Sequence, residues 1–272
     1  MAYFFMQVLI KMKVLLIGGD KRSEYAERKF KEAGFETDTL GLHINDKGCI
    51  QKADIIVLPV PTTRDGVNIF CPLTKKVIPL KELDNVCKKT MIFSSLYGGE
   101  KENITDISEL DEFSILNAVP TAEGAIAYAI NSTEKTLFGS KVLVIGNGRV
   151  GKALRARLRA LGAVVTVSAR KPRDYAEIEI NSCEYLETAD LKKNLNRFDL
   201  IFNTVDAPLF CEEDLSFLKN PIIDLSTRGC TAEKNEKIIK LPGIPGKTAP
   251  QTAGEVIFKT VIGQLKLRRD IF

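Results

Sequence analysis

The sequence predicts an α/β protein of two domains arranged around a cleft, and three observations point there. The first is a repeated opening. Residues 13–18 read Lys-Val-Leu-Leu-Ile-Gly and residues 141–146 read Lys-Val-Leu-Val-Ile-Gly. Each is a short apolar run ending in glycine, the pattern of a buried parallel strand leading into a turn. The second is that both runs open a strand-turn-helix unit, the building block of parallel sheets covered by helices. The third is length: 272 residues suffice for two domains with ample core. The first domain is expected at 1–119 and the second at 120–272. A linker helix near 120–132 and a C-terminal helix near 251–267 are expected at their junction.

Composition narrows the class of protein. The chain is 44% hydrophobic and 27% charged, an ordinary globular balance. A net charge of +4 without any long Lys/Arg block argues against nucleic acid as a partner and suits a small anionic substrate. Six scattered cysteines form no C-x-x-C pair, so they read as reduced cytosolic thiols and not as a disulfide frame or zinc site. His43 is the only histidine. This excludes a multi-histidine metal site, and no metal is expected. It also argues against a histidine-based catalyst other than His43, which itself reads as a surface residue. Residues 1–10 are apolar but lack a basic start and a small-residue cleavage site, so no signal peptide is expected. The stretch is too short to span a bilayer, and no membrane association is expected. Met12 precedes the first convincing strand, so residues 1–11 read as an upstream extension.

The first half then runs in order. Strand 13–17 gives way to Gly18-Gly19-Asp20-Lys21-Arg22 and a helix through about residue 33, which Gly34 ends. Strands are expected at 35–40, 54–59, 90–95 and 113–117. Pro59 breaks the third. In open parallel sheets ligands bind beyond the carboxyl ends of the strands. That rule picks out the loops at 18–22, 60–66 and 94–99. Pro120 is expected near the start of the linker helix.

The second half carries the sharper signal. After strand 142–145, Gly146, Gly148 and Gly151 follow in G-x-G-x-x-G spacing, and a helix begins about Lys152. Gly146 permits the tight turn, Gly148 lets a pyrophosphate approach the backbone, and Gly151 lets helix and strand pack closely. The helix start supplies N–H groups and partial positive charge. The C-terminal domain is therefore expected to be a Rossmann-type NADP-binding domain, with Gly146, Asn147, Gly148, Arg149, Val150 and Gly151 on the cofactor. The next strand, 163–168, ends in Ser168 where an NAD-preferring chain carries an acid, and Arg170 and Lys171 suit a 2′-phosphate. NADP(H) is favoured, with NAD as the alternative. Asn203, Thr204 and Val205 close strand 199–203 on the nicotinamide side, and Asp206 follows as a contact or a turn former. Strands at 221–225 and 238–241, a stiff loop at 242–250 and a helix at 251–266 complete the chain. Arg268 and Arg269 suit that helix's dipole.

Read together, Ile17-Gly18-Gly19-Asp20, Leu58-Pro59-Val60, residues 117–124, the fingerprint, Ser168-Ala169-Arg170, Asn203-Thr204, residues 224–228 and residues 241–250 make the chain resemble the dipicolinate synthase A-subunit family of spore-forming bacteria. The resemblance covers about Val14 to Leu265. Segments 120–124 and 241–250 are its specific markers, since the fingerprint alone is generic. It implies oxidation of a dihydrodipicolinate or hydroxytetrahydrodipicolinate from the lysine pathway to pyridine-2,6-dicarboxylate during sporulation. It further implies that the partner is the flavoprotein-like dipicolinate synthase B-subunit, and that the location is the mother-cell cytoplasm. A homo-oligomer stays open.

Such chemistry needs two carboxylates held and a proton removed. Arg22, Arg64 and Arg228 are candidate clamps, because a guanidinium fork pairs bidentately with a carboxylate. Ser95, Tyr97 and Thr121 are candidate substrate contacts. Glu123 and Lys247 are candidate proton-transfer groups, with bound water as the alternative. Each also has a bland reading as a turn former, helix-end charge or solvated side chain. Cys230 is the one thiol worth watching, although no base stands near it in sequence. Two other readings compete. One is a different two-domain NADP-dependent dehydrogenase, shikimate dehydrogenase-like or acting on hydroxyacids. No Lys and Asp pair stands in the context the former needs, and the catalytic histidine of the latter is missing. The other is a non-catalytic NADP-binding partner protein.

Overall fold

The computed structural model describes residues 11–96 and 102–268. Residues 1–10, Tyr97 and Arg269 lie outside the described residues. The chain divides into two compact units, Met1–Leu116 with Ala249–Phe272, and Asn117–Thr248.

The first unit holds β1 (Lys13–Ile17), α1 (Lys21–Glu32), β2 (Glu36–Leu40), β3 (Ile55–Val57), β4 (Met91–Ser94) and β5 (Ile104–Asp106). The sheet order is β2-β1-β3-β4-β5, with every neighbouring pair parallel. Successive side chains on a strand point to opposite faces. Val14 and Leu16 accordingly pack on one side with Ala26 and Phe30 of α1, Val57 and Phe93. Leu15 and Ile17 pack on the other with Ile56, Leu58 and Ile92.

Then comes α2 (Asp111–Ser132), a helix of 22 residues that contributes Phe113 to the first core and Ala122, Ala125, Ile126 and Ala129 to the second. This corrects two expectations. Residues 113–117 are helical and not a strand, and Pro120 lies inside the helix and not at its start. Asp111 and Glu112 stabilise the first turn through the dipole, and buried alanines at helical spacing carry the pattern onward. The last strand of this sheet is the three-residue β5.

In the second unit follow β6 (Lys141–Ile145), α3 (Arg149–Ala160), β7 (Val164–Ala169), α4 (Pro172–Ile180), β8 (Glu184–Glu187), α5 (Leu191–Asn194), β9 (Leu200–Asn203), α6 (Glu212–Ser216), β10 (Ile222–Asp224), β11 (Ile238–Lys240) and α7 (Ile244–Thr248). Segment 242–250, expected as a loop, contains the short helix α7. The sheet order is β11-β10-β9-β6-β7-β8, again parallel throughout. The repeated opening has repeated bonds. The Lys13 N–H donates to Asp54 Oδ2 at 2.8 Å and the Lys141 N–H to Asp199 Oδ2 at 2.9 Å.

The last helix, α8 (Pro250–Leu267), packs in the first unit, whereas the sequence placed it with the second domain. Its Gly254 explains why. A Cβ there would stand 2.5 Å from the Arg22 carbonyl oxygen and 2.7 Å from Tyr25 Cβ, so α8 and α1 touch backbone to backbone. Phe258 meets Phe30 edge-on at 5.0 Å. Arg268 donates to Thr105 Oγ1 at 2.8 Å. Among the described residues no helix is long and apolar enough to cross a membrane.

Candidate functional site

Parallel sheets bind ligands where the strand order reverses. In the second unit that point lies between β6 and β9. The three glycines after β6 divide the labour there. Gly146 has φ +99°, and a Cβ on it would lie 2.7 Å from Thr204 Oγ1 and 2.9 Å from Val205 Cγ2. Gly151 sits so close under the turn that its Cβ would be 2.1 Å from the Gly146 carbonyl oxygen. Nothing lies within 4 Å of a Cβ on Gly148. That residue is the N-cap of α3, and no side chain caps the helix start. An uncapped helix N-terminus beside open space is an anion site. These residues therefore fit a dinucleotide pyrophosphate, with Arg149 and Val150 as the first two residues of α3.

The rest of this edge is built from bonds the sequence did not reveal. Asn147 Oδ1 accepts from Arg155 Nη1 at 2.9 Å. Ser168 is only 1% exposed, and its hydroxyl lies against Thr188 Oγ1 at 3.3 Å. Its hydroxyl thus meets Thr188 near the carboxyl end of β7. Because β7 continues through Ala169, Arg170 and Lys171 are the first residues past the strand, and both are exposed. Asn203 is buried, and its amide donates to Asp224 Oδ1 at 2.8 Å and to the Val205 carbonyl at 2.9 Å. It shapes its loop and has little left to offer a ligand. Thr204 Oγ1 donates to the Ile145 carbonyl at 2.8 Å.

Asp224, the first residue of segment 224–228, organises this corner. Its buried carboxylate also accepts from the Ser226 N–H and hydroxyl and from the Cys230 N–H, at 3.0, 2.7 and 3.1 Å. The available signal was an acid placed directly at the end of an apolar strand. The Arg228 N–H donates to Asp206 Oδ1 at 2.5 Å, which ties loops 203–208 and 226–229 together, while the Arg228 side chain remains 84% exposed. Cys230 is fully buried. Burial first, and Asp224 second, push its thiol up to about 12, so it is no nucleophile at neutral pH.

On α2, the Thr121 hydroxyl donates to the Asn117 carbonyl at 2.7 Å. Exposed Glu123 pairs with Arg157 Nε at 2.9 Å. A Cβ on Gly124 would stand 2.5 Å from Thr248 Oγ1 and 2.8 Å from Ile244 Cγ1. The structure thus brings segment 120–124 against α7, which carries exposed Lys247.

In the first unit the order reverses between β1 and β3. The turn after β1 begins with two glycines too, but it is closed. Cβ atoms on Gly18 and Gly19 would meet the Phe70 carbonyl oxygen at 2.7 Å and Ser23 Oγ at 1.9 Å. Asp20 caps α1, accepting from the Arg22 N–H at 3.0 Å. Arg22 is buried and donates through Nε and Nη2 to Asp20 at 2.9 and 2.8 Å, and to the Val60 carbonyl. Through Nε and Nη2 its guanidinium ties the two loops together. Burial raises the Asp20 pKa, but the Arg22 bonds and charge outweigh it and hold the carboxyl below its ordinary range. Arg64 lies exposed at the same crevice, its guanidinium 4.1 Å from the Phe70 ring centroid. Ser95 Oγ is buried and has no hydrogen-bond partner among the described residues. His43 Nε2 lies 2.7 Å from Glu27 beside a cavity of about 840 Å3 along β2. On its wall Lys31 also pairs with Glu27, at 2.6 Å.

Comparison with known proteins agrees with this division. Residues 13–111 match the family described as the N-terminal domain of the dipicolinate synthase A-subunit, and residues 121–209 match the D-isomer specific 2-hydroxyacid dehydrogenase, NAD binding domain. The dipicolinate synthase A-subunit of Bacillus subtilis (strain 168) is 33% identical over 92% of this chain and 94% of its own length. The crystal structure of the dipicolinate synthase A-subunit from Bacillus halodurans superposes with a TM-score of 0.85 at 25% identity, covering 94% of this chain and 99% of that one. The crystal structure of the Bacillus subtilis protein gives 0.80 at 28% identity, covering 95% and 98%. A dehydrogenase-type nicotinamide-cofactor domain in such a chain makes it an oxidoreductase. This chain belongs to the dipicolinate synthase A-subunit family.

Proposed function

We propose that this chain is the NADP-dependent dehydrogenase component of a dipicolinate synthase. In this reading it oxidises a dihydrodipicolinate, formed from hydroxytetrahydrodipicolinate by loss of water, to pyridine-2,6-dicarboxylate. The observation that carries the reading is the uncapped start of α3 at Gly148, found in a chain of this family. The ring loses two hydrogens, one as hydride and one as a proton, and aromatisation drives the step. NADP+ supplies the hydride-accepting carbon.

The chain's own residues bind and orient. N–H groups at the start of α3 receive the pyrophosphate, and exposed Arg170 and Lys171 receive the 2′-phosphate. The Asn203–Asp224 web stiffens the nicotinamide-side loops. Arg64 and Arg228, both exposed, hold the carboxylates, with Ser95 and Thr121 as polar contacts. Lys247 or Glu123 takes the proton, Glu123 only after releasing Arg157. The partner is the flavoprotein-like B-subunit, in the mother-cell cytoplasm of a sporulating bacterium.

The test supplies the lysine-pathway product to this chain with its flavoprotein-like partner and NADP+, and follows dipicolinate ultraviolet absorbance and NADPH together. Dipicolinate and NADPH should rise in step. Absence of dipicolinate with a competent partner present would overturn the reading. The dehydrogenase-domain match favours a 2-hydroxyacid dehydrogenase as second reading. Against it, the single histidine, His43, is bonded to Glu27 at 2.7 Å in the first unit.

A further inference from the structure

Arg155 lies on α3 with its side chain 6% exposed, beneath the phosphate-binding turn. A guanidinium presents five donors in one plane, and here the fork is divided between two acceptors. Nη1 donates to Asn147 Oδ1 at 2.9 Å, and Asn147 lies between Gly146 and Gly148. Nη2 donates to Glu177 Oε1, also at 2.9 Å, on α4. The other Glu177 oxygen receives Lys152 Nζ at 2.8 Å. Asn147 Nδ2 adds a longer contact to Asp174 Oδ1 at 3.5 Å, in the first turn of α4. The phosphate turn is thereby anchored to the first two turns of α4. Lys171 is the N-cap of that helix and Arg170 precedes it.

We infer that Arg155 is a positioning residue that holds the turn 146–148 and the Arg170–Lys171 turn at a fixed spacing, and so sets preference for a dinucleotide carrying a 2′-phosphate. The inference rests on the NADP reading above. Packing two helices does not require a buried ion pair, since well-packed apolar side chains are commonly as stabilising. What the pair adds is geometry. NAD+ presses its pyrophosphate on one turn only. NADP+ must satisfy two anion sites at once, and simultaneous engagement fails when the distance between them is loose. Lysine cannot replace Arg155, because a single ammonium on a flexible stem does not bridge Asn147 and Glu177 as a planar fork does.

The experiment measures Kd for NADP+ and NAD+ by calorimetry on the wild-type chain and on Arg155→Lys, Glu177→Ala and Arg170→Ala, with a thermal midpoint for each. Glu177→Ala cuts the Arg155 tie to α4 but leaves the Asn147–Arg155 bond and the longer Asn147–Asp174 contact, so it serves if Arg155→Lys folds poorly. In both tie variants the Kd for NADP+ should rise by about tenfold and that for NAD+ by less than about threefold. Combining Arg155→Lys with Arg170→Ala should cost less selectivity than the two separate losses together. Equal weakening of both nucleotides, or of neither, in the two tie variants, while Arg170→Ala weakens NADP+ and spares NAD+, overturns this inference alone. A wild-type chain that binds NAD+ as tightly as NADP+, with Arg170→Ala affecting both alike, overturns the NADP reading and the inference with it.

Discussion

Replacing Gly148 by alanine should separate nucleotide binding from folding. The residue has φ −78° and ψ −168°, which alanine adopts freely, and nothing lies within 4 Å of the added carbon. Alanine is a poorer N-cap than glycine, but it also restricts the unfolded chain, so the two effects offset and stability moves by less than about 1 kcal/mol. The methyl group nevertheless occupies the space a pyrophosphate needs to reach the N–H groups of α3. Loss of one charge-assisted hydrogen bond costs about 1.5–3 kcal/mol, roughly a ten- to hundredfold rise in Kd. Gly151→Ala is the contrast. Its methyl would stand 2.1 Å from the Gly146 carbonyl oxygen, against an ordinary carbon–oxygen contact of about 3.4 Å. Helix and strand must part by about 1 Å, which costs on the order of 1–3 kcal/mol of stability. Denaturant melts and NADP+ titrations of both variants decide the matter. Wild-type NADP+ affinity in Gly148→Ala, or a stability loss there equal to that of Gly151→Ala, would refute the assignment of the turn.

Arg22→Ala should act on stability, by about 2 kcal/mol in a urea melt, because it strands the Asp20 carboxylate and the Val60 carbonyl. Arg64→Ala should instead raise KM for the dicarboxylate at unchanged stability; the reverse pattern would show the two roles exchanged. Asp20 is held below its unfolded pKa, so its contribution is complete above the unfolded value and is lost as pH falls through the folded one. Asp20→Asn should therefore flatten the acid side of a stability–pH profile, and an unchanged slope would discount the pair. Gly254→Ala should cost about 1–3 kcal/mol, since its methyl meets the Arg22 carbonyl oxygen at 2.5 Å; a melt as stable as wild type would contradict backbone contact between α1 and α8. Cys230 should resist iodoacetamide at pH 8 in the folded chain and react on unfolding, whereas rapid labelling of the native chain would place the thiol in a different environment.

Much of this was legible in residue order. The two apolar openings read as strands because buried parallel strands need apolar groups on both faces. Gly146 and Gly151 stand where an added Cβ would meet Thr204 Oγ1 and the Gly146 carbonyl oxygen, whereas Gly148 faces open space at the uncapped start of α3. Other features left no local trace. β8 is mostly exposed, so Glu184–Glu187 lacks an apolar run. β5 has only three residues. Residues 113–117 mimic a strand in isolation, and only the alanines further along show that the helix has already begun. Arg22 looked like a free clamp because sequence does not show where a long side chain turns. Arg155 and Asp224 were hidden for a related reason: their roles lie in bonds to residues up to 22 positions away. The repeated strand-turn openings looked alike, yet Asp20 fills the helix start that Gly148 leaves bare.

A crystal structure of the chain soaked with NADP+ tests that last contrast between the two helix starts. Pyrophosphate density should lie against the backbone of Gly148 and Arg149, with the 2′-phosphate beside Arg170 and Lys171. Density for the dinucleotide at Gly18–Asp20, or a bound nucleotide whose 2′-phosphate points away from Arg170, would contradict it.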